Sequence, residues 1–148
     1  MIREALTEDL DAILELYLYL HESSIPEKDA HLVETWRQII DDPNHHLIVN
    51  EIDGQIVSSC VCVIIPNLTR GVRPYALVEN VVTRGDFRCR GCASACLDYA
   101  RQLAEQADCY KIMLLTGSKK PETLRFYEKA GYNRGEKTAF IQRLRKDQ

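Results

Sequence analysis

A short basic segment with a glycine in it is the clearest candidate for chemistry in this sequence. It reads Arg88-Cys89-Arg90-Gly91-Cys92-Ala93 and stands where a loop turns into a predicted helix. The first turn of a helix has unpaired backbone N–H groups and a partial positive charge. Gly91 and Ala93 leave that backbone uncovered, so a large anion such as a pyrophosphate could approach it. The alternative is a solvated loop with arginines for solubility, because short glycine patterns are frequent by chance.

A carboxylate interrupts the apolar run of residues 75–83 and is the second candidate. Glu79 lies in what the pattern predicts to be a buried strand, where an acid is costly unless it is paired or functional. It could take the proton that an ammonium group must lose before its nitrogen attacks, and burial would raise its pKa toward the useful range. The alternative is a structural ion pair with an arginine such as Arg73.

The cysteines raise the question of a metal site. The spacing Cys89-x2-Cys92-x3-Cys96 is only part of a zinc or iron–sulfur pattern, because no second pair follows at a suitable distance. Cys92 and Cys96 are four residues apart and would share one face of a helix. The sequence therefore predicts thiols that pack in the core and no metal. A cysteine-based metal or redox protein remains the alternative.

Composition bounds the class of protein. The chain has 148 residues, of which 45% are hydrophobic and 28% charged, with a net charge of −3. We expect a single domain over residues 1–148 and no nucleic-acid partner, because nucleic-acid-binding domains are usually basic. No apolar run reaches the roughly 18–20 residues of a membrane span, and the N-terminus lacks the layout of a signal peptide. The expected location is the cytoplasm, without a membrane partner.

Turn residues and apolar spacing predict the elements that would position these candidates. The predicted strands cover residues 2–5, 46–51, 55–65, 75–83, 111–116 and 137–144. The predicted helices begin after Thr7, at a capping box in residues 24–27, after Gly91 and at Pro121. Asp53-Gly54 is the predicted hairpin turn. A mixed α/β sheet with helices on both faces accommodates this order.

Three stretches in the right order resemble the GNAT superfamily of acetyl-CoA-dependent N-acetyltransferases. The family's Arg/Gln-x-x-Gly-x-Gly/Ala pattern is matched by residues 88–93, its preceding strand by residues 77–83 and its later helix by residues 126–132. The chain departs from the family at Lys120 and Thr123, where the family often has Asn and a small residue. It also departs at Thr83, where an apolar residue is usual. The resemblance implies a mostly antiparallel central sheet with helices on both faces.

The resemblance also implies how acetyl-CoA, the cosubstrate, would bind. Backbone groups of the strand before the loop would pair with the pantetheine arm, at Val81, Val82 and Thr83. The pyrophosphate would lie on the amides of the loop and the first helical turn, at Arg88, Cys89, Arg90, Gly91, Cys92, Ala93 and Ser94. No metal is implied.

Two side chains acquire catalytic roles from the same resemblance. Glu79 would be the base that takes a proton from the amine, directly or through water. Tyr127 would donate a proton or a hydrogen bond to the leaving thiolate of coenzyme A. Without the resemblance, Phe126 and Tyr127 would be interpreted as core aromatic residues of a short helix.

The implied function is acetyl transfer to a primary amine of a small molecule by direct attack in a ternary complex. An amino-sugar phosphate acceptor is the alternative, because Cys109-Tyr110-Lys111-Ile112 and the 126–129 segment resemble glucosamine-6-phosphate acetyltransferases. A non-catalytic acyl-CoA sensor is a further alternative. It would retain the arginine-rich loop and dispense with Glu79 and Tyr127. The sequence leaves open whether the chain forms a homodimer.

Overall fold

The computed structural model describes residues 1–145, in which strands and helices follow the predicted order with two exceptions: a helical turn at Thr69–Val72 that was not predicted, and the absence of the predicted strand at residues 137–144. The strands are β1 (Ile2–Glu4), β2 (His45–Ile52), β3 (Gln55–Ile65), β4 (Tyr75–Thr83) and β5 (Ile112–Leu114). The helices are α1 (Leu10–Leu16), α2 (Ala30–Asp41), the single turn α3 (Thr69–Val72), α4 (Cys92–Gln106) and α5 (Pro121–Lys129). Short 3-10 turns lie at Thr7–Asp9, Tyr17–Tyr19 and Gly85–Phe87.

All five strands form one sheet in the order β1-β2-β3-β4-β5. Neighbouring strands from β1 to β4 are antiparallel, and only β4 and β5 are parallel. The Asp53-Gly54 turn joins β2 to β3 with both residues at positive φ, 51° and 78°, which suits a tight hairpin. The mixed, mostly antiparallel sheet is therefore confirmed.

The alternation of side chains along β2 separates two packed faces of the sheet. Leu47 and Val49 belong to a cluster with Ile13, Leu16 and Trp36, from α1 and α2. The intervening positions of β2 and β3 meet α4 instead, because Cys60 contacts the Cys96 carbonyl and Asn50 donates to the Cys92 carbonyl. Burial of one large apolar side chain stabilises the fold by about 1.5–3 kcal/mol. The helices packed on each face of the sheet therefore both contribute to its stability.

The second helix begins later than its sequence predicts. Asp29 is the N-cap of α2, and its carboxylate accepts a hydrogen bond of 2.9 Å from the Leu32 amide. The prediction of a start at the capping box in residues 24–27 was wrong. Asp29 has an extended backbone, with φ −87° and ψ −178°, so the helix cannot continue through it toward the N-terminus.

The chain divides into two compact units, the first of which is Met1–Leu114 and contains the whole sheet. The second begins at Leu115 and contains α5, which starts at Pro121 as predicted. The predicted strand at residues 137–144 is wrong, because residues 137–145 have no regular secondary structure. Phe140 and Leu144 are 90% and 92% exposed. Apolar residues favour an extended chain, but a strand also needs a partner backbone, which the local sequence does not specify. In residues 1–145 no helix is long and apolar enough to cross a membrane.

Candidate functional site

A bulge interrupts β4 directly after Glu79. Val61 of β3 pairs with Glu79, whereas Ser59 pairs with Val82, so the strand has one extra residue between these positions. Asn80 takes up the irregularity with a left-handed backbone, φ 54°. Bulges bend a strand and redirect its side chains, and Asn tolerates this conformation better than most residues.

Beyond the bulge, β4 pairs with a neighbouring strand on one side only within residues 1–145. Its parallel pairing with β5 ends at Val78 and Leu114, while its pairing with β3 continues to Thr83. The Arg84 amide donates to the Val57 carbonyl at 2.9 Å, which makes this pair a hydrogen-bonded one. Because such pairs alternate along an antiparallel ladder, the N–H and C=O groups of Thr83 point away from β3. Strand β4 therefore ends with backbone groups that face an unpaired edge.

The helix that follows this strand begins without a side-chain cap. Gly91 is the N-cap of α4 and has φ 78°. Because glycine has no side chain, no cap hydrogen bond is made to the first turn. An L-residue with a side chain would be strained in this left-handed conformation, so glycine suits the position. No acidic residue stands in the first turn of α4. Cys92, Ala93 and Ser94 are its first three residues, and backbone amides at such a position attract anions.

The loop between β4 and α4 concentrates positive charge beside those amides. Arg84 pairs with Asp86 at 3.2 Å. Arg84 and Arg90 both lie over the Phe87 ring, 5.9 and 5.1 Å from its centroid. Arg88 and Arg90 are exposed and take part in none of the ion pairs found within residues 1–145. Their charge is therefore available to an anion at the start of α4.

Glu79 lies at an exposed position, so the prediction that it is buried was wrong. The run of apolar neighbours suggested a strand covered on all sides, but β5 ends at Leu114, opposite Val78. The proposed ion pair with Arg73 is also absent, because Arg73 pairs with Asp108 at 3.3 Å. Glu79 is therefore an accessible carboxylate immediately before the bulge.

The 3-10 turn after α1 borders the same end of β4. Tyr17 is half-buried, and desolvation raises the pKa of its phenol, while the nearby Asn80 side chain opposes that shift. The ring of Tyr19 lies so close to Gly85 that a Cβ atom there would be 3.4 Å from it. These two tyrosines were not identified from the sequence, since only the fold brings the end of α1 to the bulge.

Tyr127 lies in the second unit, on α5, and is half-buried. Its ring makes edge-on contacts with Phe126, at a centroid distance of 5.0 Å, and with Tyr132, at 6.5 Å. The other predicted site residues, from Glu79 to Ser94, all lie in the first unit, along β4, the arginine-rich loop and the first turn of α4.

The cysteines differ in exposure along the predicted metal-like spacing. Cys92 and Cys96 are buried under the sheet, as predicted, whereas Cys89 is exposed on the loop with a positive φ of 63°. Burial raises the pKa of the Cys96 thiol to about 12, so that thiol is protonated at neutral pH. Within residues 1–145, no three His, Cys, Asp or Glu side chains are arranged to hold a metal ion.

Two fully buried serines were also missed from the sequence. Ser58 and Ser59 are both 0% exposed in the middle of β3. The Ser58 hydroxyl donates to the Val82 carbonyl at 2.8 Å, and the Ser59 hydroxyl donates to the Ile48 carbonyl at 2.7 Å. Two adjacent hydroxyl side chains in an otherwise apolar strand were the available signal, because buried polar groups need partners.

Comparison with known proteins gives the family. The sequence profile of the Acetyltransferase (GNAT) family matches residues 9–132. A putative acetyltransferase from Agrobacterium tumefaciens str. C58 is 34% identical, has a TM-score of 0.89, and the match covers 97% of this chain and 99% of that one. An acetyltransferase from Trypanosoma brucei is 26% identical, with a TM-score of 0.77 and coverage of 96% and 98%.

A curated relative is similar over part of its length. The glucosamine 6-phosphate N-acetyltransferase of Trypanosoma brucei brucei is 33% identical over 84 residues. The match covers 57% of this chain and 55% of the relative, so it spans about half of each protein. With the family profile matching most of the chain and the fold shared along its length, this protein belongs to the Acetyltransferase (GNAT) family.

Proposed function

We propose that this protein transfers an acetyl group from acetyl-CoA to a primary amine of a small molecule, by direct attack within a ternary complex. GNAT acetyltransferases use acetyl-CoA. The observation that carries the proposal is that two possible binding features of the first unit follow each other directly along the chain. Strand β4 ends with an unpaired edge, and the chain then leads through three arginines to the uncapped start of α4.

Each feature suits a different part of the cosubstrate. The unpaired edge of β4 offers backbone donors and acceptors to the amides of the pantetheine arm, at Val81 and above all at Thr83. The carbonyl of Val82 takes no part, because it accepts the Ser58 hydroxyl on the β3 side. The amides from Cys92 to Ser94 receive the pyrophosphate, and Arg88 and Arg90 add charge to a site that already attracts anions.

The chemistry then needs one base and one acid. Glu79 takes a proton from the ammonium group, directly or through water, and the amine nitrogen attacks the thioester carbon. The tetrahedral intermediate collapses with breakage of the C–S bond, and the electron pair leaves on the sulfur of coenzyme A. Tyr127 donates a proton or a hydrogen bond to that thiolate, and the nitrogen releases its second proton to solvent as the neutral amide forms. Both roles rest on the position of these residues in the family pattern.

Charge distribution favours an acceptor without a phosphate. Residues 1–55, which include α1 and α2, contain 13 acidic and three basic side chains. The rest of the chain contains nine acidic and 16 basic side chains. The turn after α1, which belongs to this acidic part of the sequence, borders the bulge through Tyr17 and Asn80. Acidic surroundings attract ammonium groups and repel a phosphate.

An amino-sugar phosphate is the second candidate acceptor. It is favoured by the partial similarity to the glucosamine 6-phosphate N-acetyltransferase of Trypanosoma brucei brucei. Glucosamine and glucosamine 6-phosphate form a matched pair of probes, because they differ only in the phosphate.

The test is a screen of amines for release of the coenzyme A thiol from acetyl-CoA. The screen contains glucosamine with and without its phosphate, polyamines, aminoglycosides and amino acids. We expect amine-dependent thiol release, with higher kcat/KM for the unphosphorylated compounds. Preference for glucosamine 6-phosphate would select the second candidate. Tight binding of acetyl-CoA without release by any amine would contradict catalysis and favour a sensor.

A further inference from the structure

Ser58 makes a buried contact with the strand that carries the proposed pantetheine site. Its hydroxyl donates to the Val82 carbonyl at 2.8 Å and lies 2.9 Å from the Thr83 hydroxyl. Ser58 is 0% exposed, so water does not compete for these bonds. The contact also accounts for Thr83, the residue at which the strand departs from the family pattern, since an apolar side chain there would leave Ser58 with one partner fewer.

The geometry of the peptide bond connects this contact to the other side of the strand. The Val82 carbonyl and the Thr83 N–H belong to the same planar peptide unit and point in opposite directions. Because the carbonyl faces β3 and accepts the Ser58 hydroxyl, the Thr83 N–H faces the unpaired edge beyond Val78 and Leu114. A hydrogen bond at the carbonyl also polarises the unit and makes its N–H a stronger donor.

We propose that Ser58 is a positioning residue for acetyl-CoA, because its hydroxyl fixes and polarises the Val82–Thr83 peptide unit whose N–H faces the pantetheine arm. Ser58 does not touch the cosubstrate and acts through the backbone of β4. This inference rests on the proposed function, since it needs acetyl-CoA to lie along β4.

The test compares acetyl-CoA with a fragment that lacks the pantetheine arm. The fragment is 3′-phospho-ADP, which retains the pyrophosphate and would bind only at the start of α4. Loss of one hydrogen bond is typically worth a few-fold in affinity, so Ser58→Ala should weaken acetyl-CoA binding by about 3- to 10-fold. The affinity for 3′-phospho-ADP should not change. Isothermal titration measures both.

Ser59→Ala is a closely matched control. Ser59 is the adjacent residue, is equally buried, and donates a hydrogen bond of 2.7 Å to a backbone carbonyl. That carbonyl belongs to Ile48 of β2, so the bond does not reach β4. Ser59→Ala should therefore have a similar effect on thermal stability and no effect on acetyl-CoA affinity.

A second substitution at the same position covers the case in which Ser58→Ala fails to fold. Ser58→Cys keeps the shape of the side chain but supplies a much weaker donor. In reducing buffer, its acetyl-CoA affinity should be lower than that of the wild type. Wild-type affinity in every Ser58 variant that folds would overturn the inference.

The remaining outcomes are also decisive. Equal weakening by Ser58→Ala and Ser59→Ala, or equal weakening of acetyl-CoA and 3′-phospho-ADP, would mean that Ser58 has a purely structural role. If the wild-type protein bound no acetyl-CoA, the proposed function would fail and the inference with it. A wild type that binds acetyl-CoA, with Ser58 variants that bind it equally well, rejects the inference alone.

Discussion

The backbone conformation of a single residue, Asn80, changes the course of β4 next to Glu79. Its left-handed backbone adds one residue to the strand opposite Cys60, so the strand bends just after Glu79. The same strand loses its β5 neighbour at Val78. Glu79 therefore stands as an exposed carboxylate at a bend, where an incoming amine can reach it. The 3-10 turn that contains Tyr17 lies next to this end of β4.

Replacing Glu79 by Gln should lower kcat/KM by about 10²-fold at neutral pH, near the low end of general base catalysis, since water can partly substitute at an exposed site. The difference from the wild type should narrow as pH rises toward the pKa of the amine, because less of the amine then needs a base. A pH–rate profile measures this. Glu105→Gln, on the outer face of α4 beside Arg101, is the control and should leave the profile unchanged. A pH-independent loss in Glu79→Gln would contradict the base role.

Tyr127 is the second side chain whose substitution tests the proposed mechanism. Tyr127→Phe removes only the hydroxyl and keeps the ring contacts with Phe126 and Tyr132. It should lower kcat by about 10²-fold and leave acetyl-CoA affinity nearly unchanged, because the interaction matters mainly as charge develops on sulfur. Steady-state kinetics and binding measure the two effects, with Tyr132→Phe as the control. A wild-type kcat in Tyr127→Phe would mean that the acid is another group.

Among the elements, the start of α4 shows how sequence and site are connected. Three arginines precede a glycine that must adopt positive φ, and the helix then begins without an acidic side chain or a cap. Because no side chain caps the helix and no acidic residue lies in its first turn, the backbone amides of that turn are available to a ligand. An ordinary stable helix start would place Ser, Thr, Asp or Asn at the cap instead.

Gly91→Glu should abolish detectable acetyl-CoA binding, since it places a negative side chain beside the proposed pyrophosphate position. The chain offers a matched control in Gly54→Glu. Both glycines have φ 78° and open space where a Cβ atom would lie, so the backbone strain is the same. Equal loss of thermal stability with loss of binding only at Gly91 is the expected result. Unchanged acetyl-CoA affinity in Gly91→Glu would show that the site is elsewhere.

Local patterns predicted those elements whose geometry is set by neighbouring residues. The Asp53-Gly54 turn, the bounds of β3 and β4, and the start of α5 at Pro121 follow from turn chemistry and apolar spacing. The exposure of Glu79 depends on where β5 ends, which no residue near Glu79 encodes. The strand predicted at residues 137–144 is wrong for a similar reason, because the local sequence does not specify a partner strand for it. The helix start at Asp29 was missed because two candidate caps compete within six residues.

At the scale of the whole molecule, residues 1–55 are mainly acidic and the rest of the chain is mainly basic. Within the acidic part, Arg3, Asp9 and Glu51 form a cluster of ion pairs. Asp9 is only 8% exposed and accepts two hydrogen bonds from Arg3, at 2.7 and 3.1 Å, and one from the Leu6 amide. Arg3 also bonds to Glu51 at 3.1 Å. This cluster joins β1 to the 3-10 turn before α1, which leads to the proposed acceptor side.

The hydrogen bond from Arg3 holds the pKa of Asp9 below its ordinary value of about 3.9. A lowered folded-state pKa means that the ionised carboxylate stabilises the fold above the unfolded pKa, and that this stability is lost as pH falls through the folded pKa. Asp9→Asn should therefore reduce the free energy of unfolding by about 1.5–3 kcal/mol at pH 7. The difference from the wild type should shrink below about pH 4.

Urea unfolding at several pH values measures this difference. The control is Asp11→Asn, which breaks the exposed pair with Lys28 and should change stability by less than about 1 kcal/mol. A loss in Asp9→Asn that does not vary with pH would mean that the carboxylate acts through packing and not through its charge.

The most direct test of the central claim, direct transfer of an acetyl group from acetyl-CoA to an amine, is mass spectrometry of the intact protein and of the amine in one reaction. With acetyl-CoA alone, the protein mass should stay unchanged, because no side chain carries the acetyl group. After addition of the best amine from the screen, one acetylated amine should form for each coenzyme A released. An acetyl group on the protein before the amine is added, transferred to the amine afterwards, would contradict direct attack and point to a thiol such as Cys89 as the carrier.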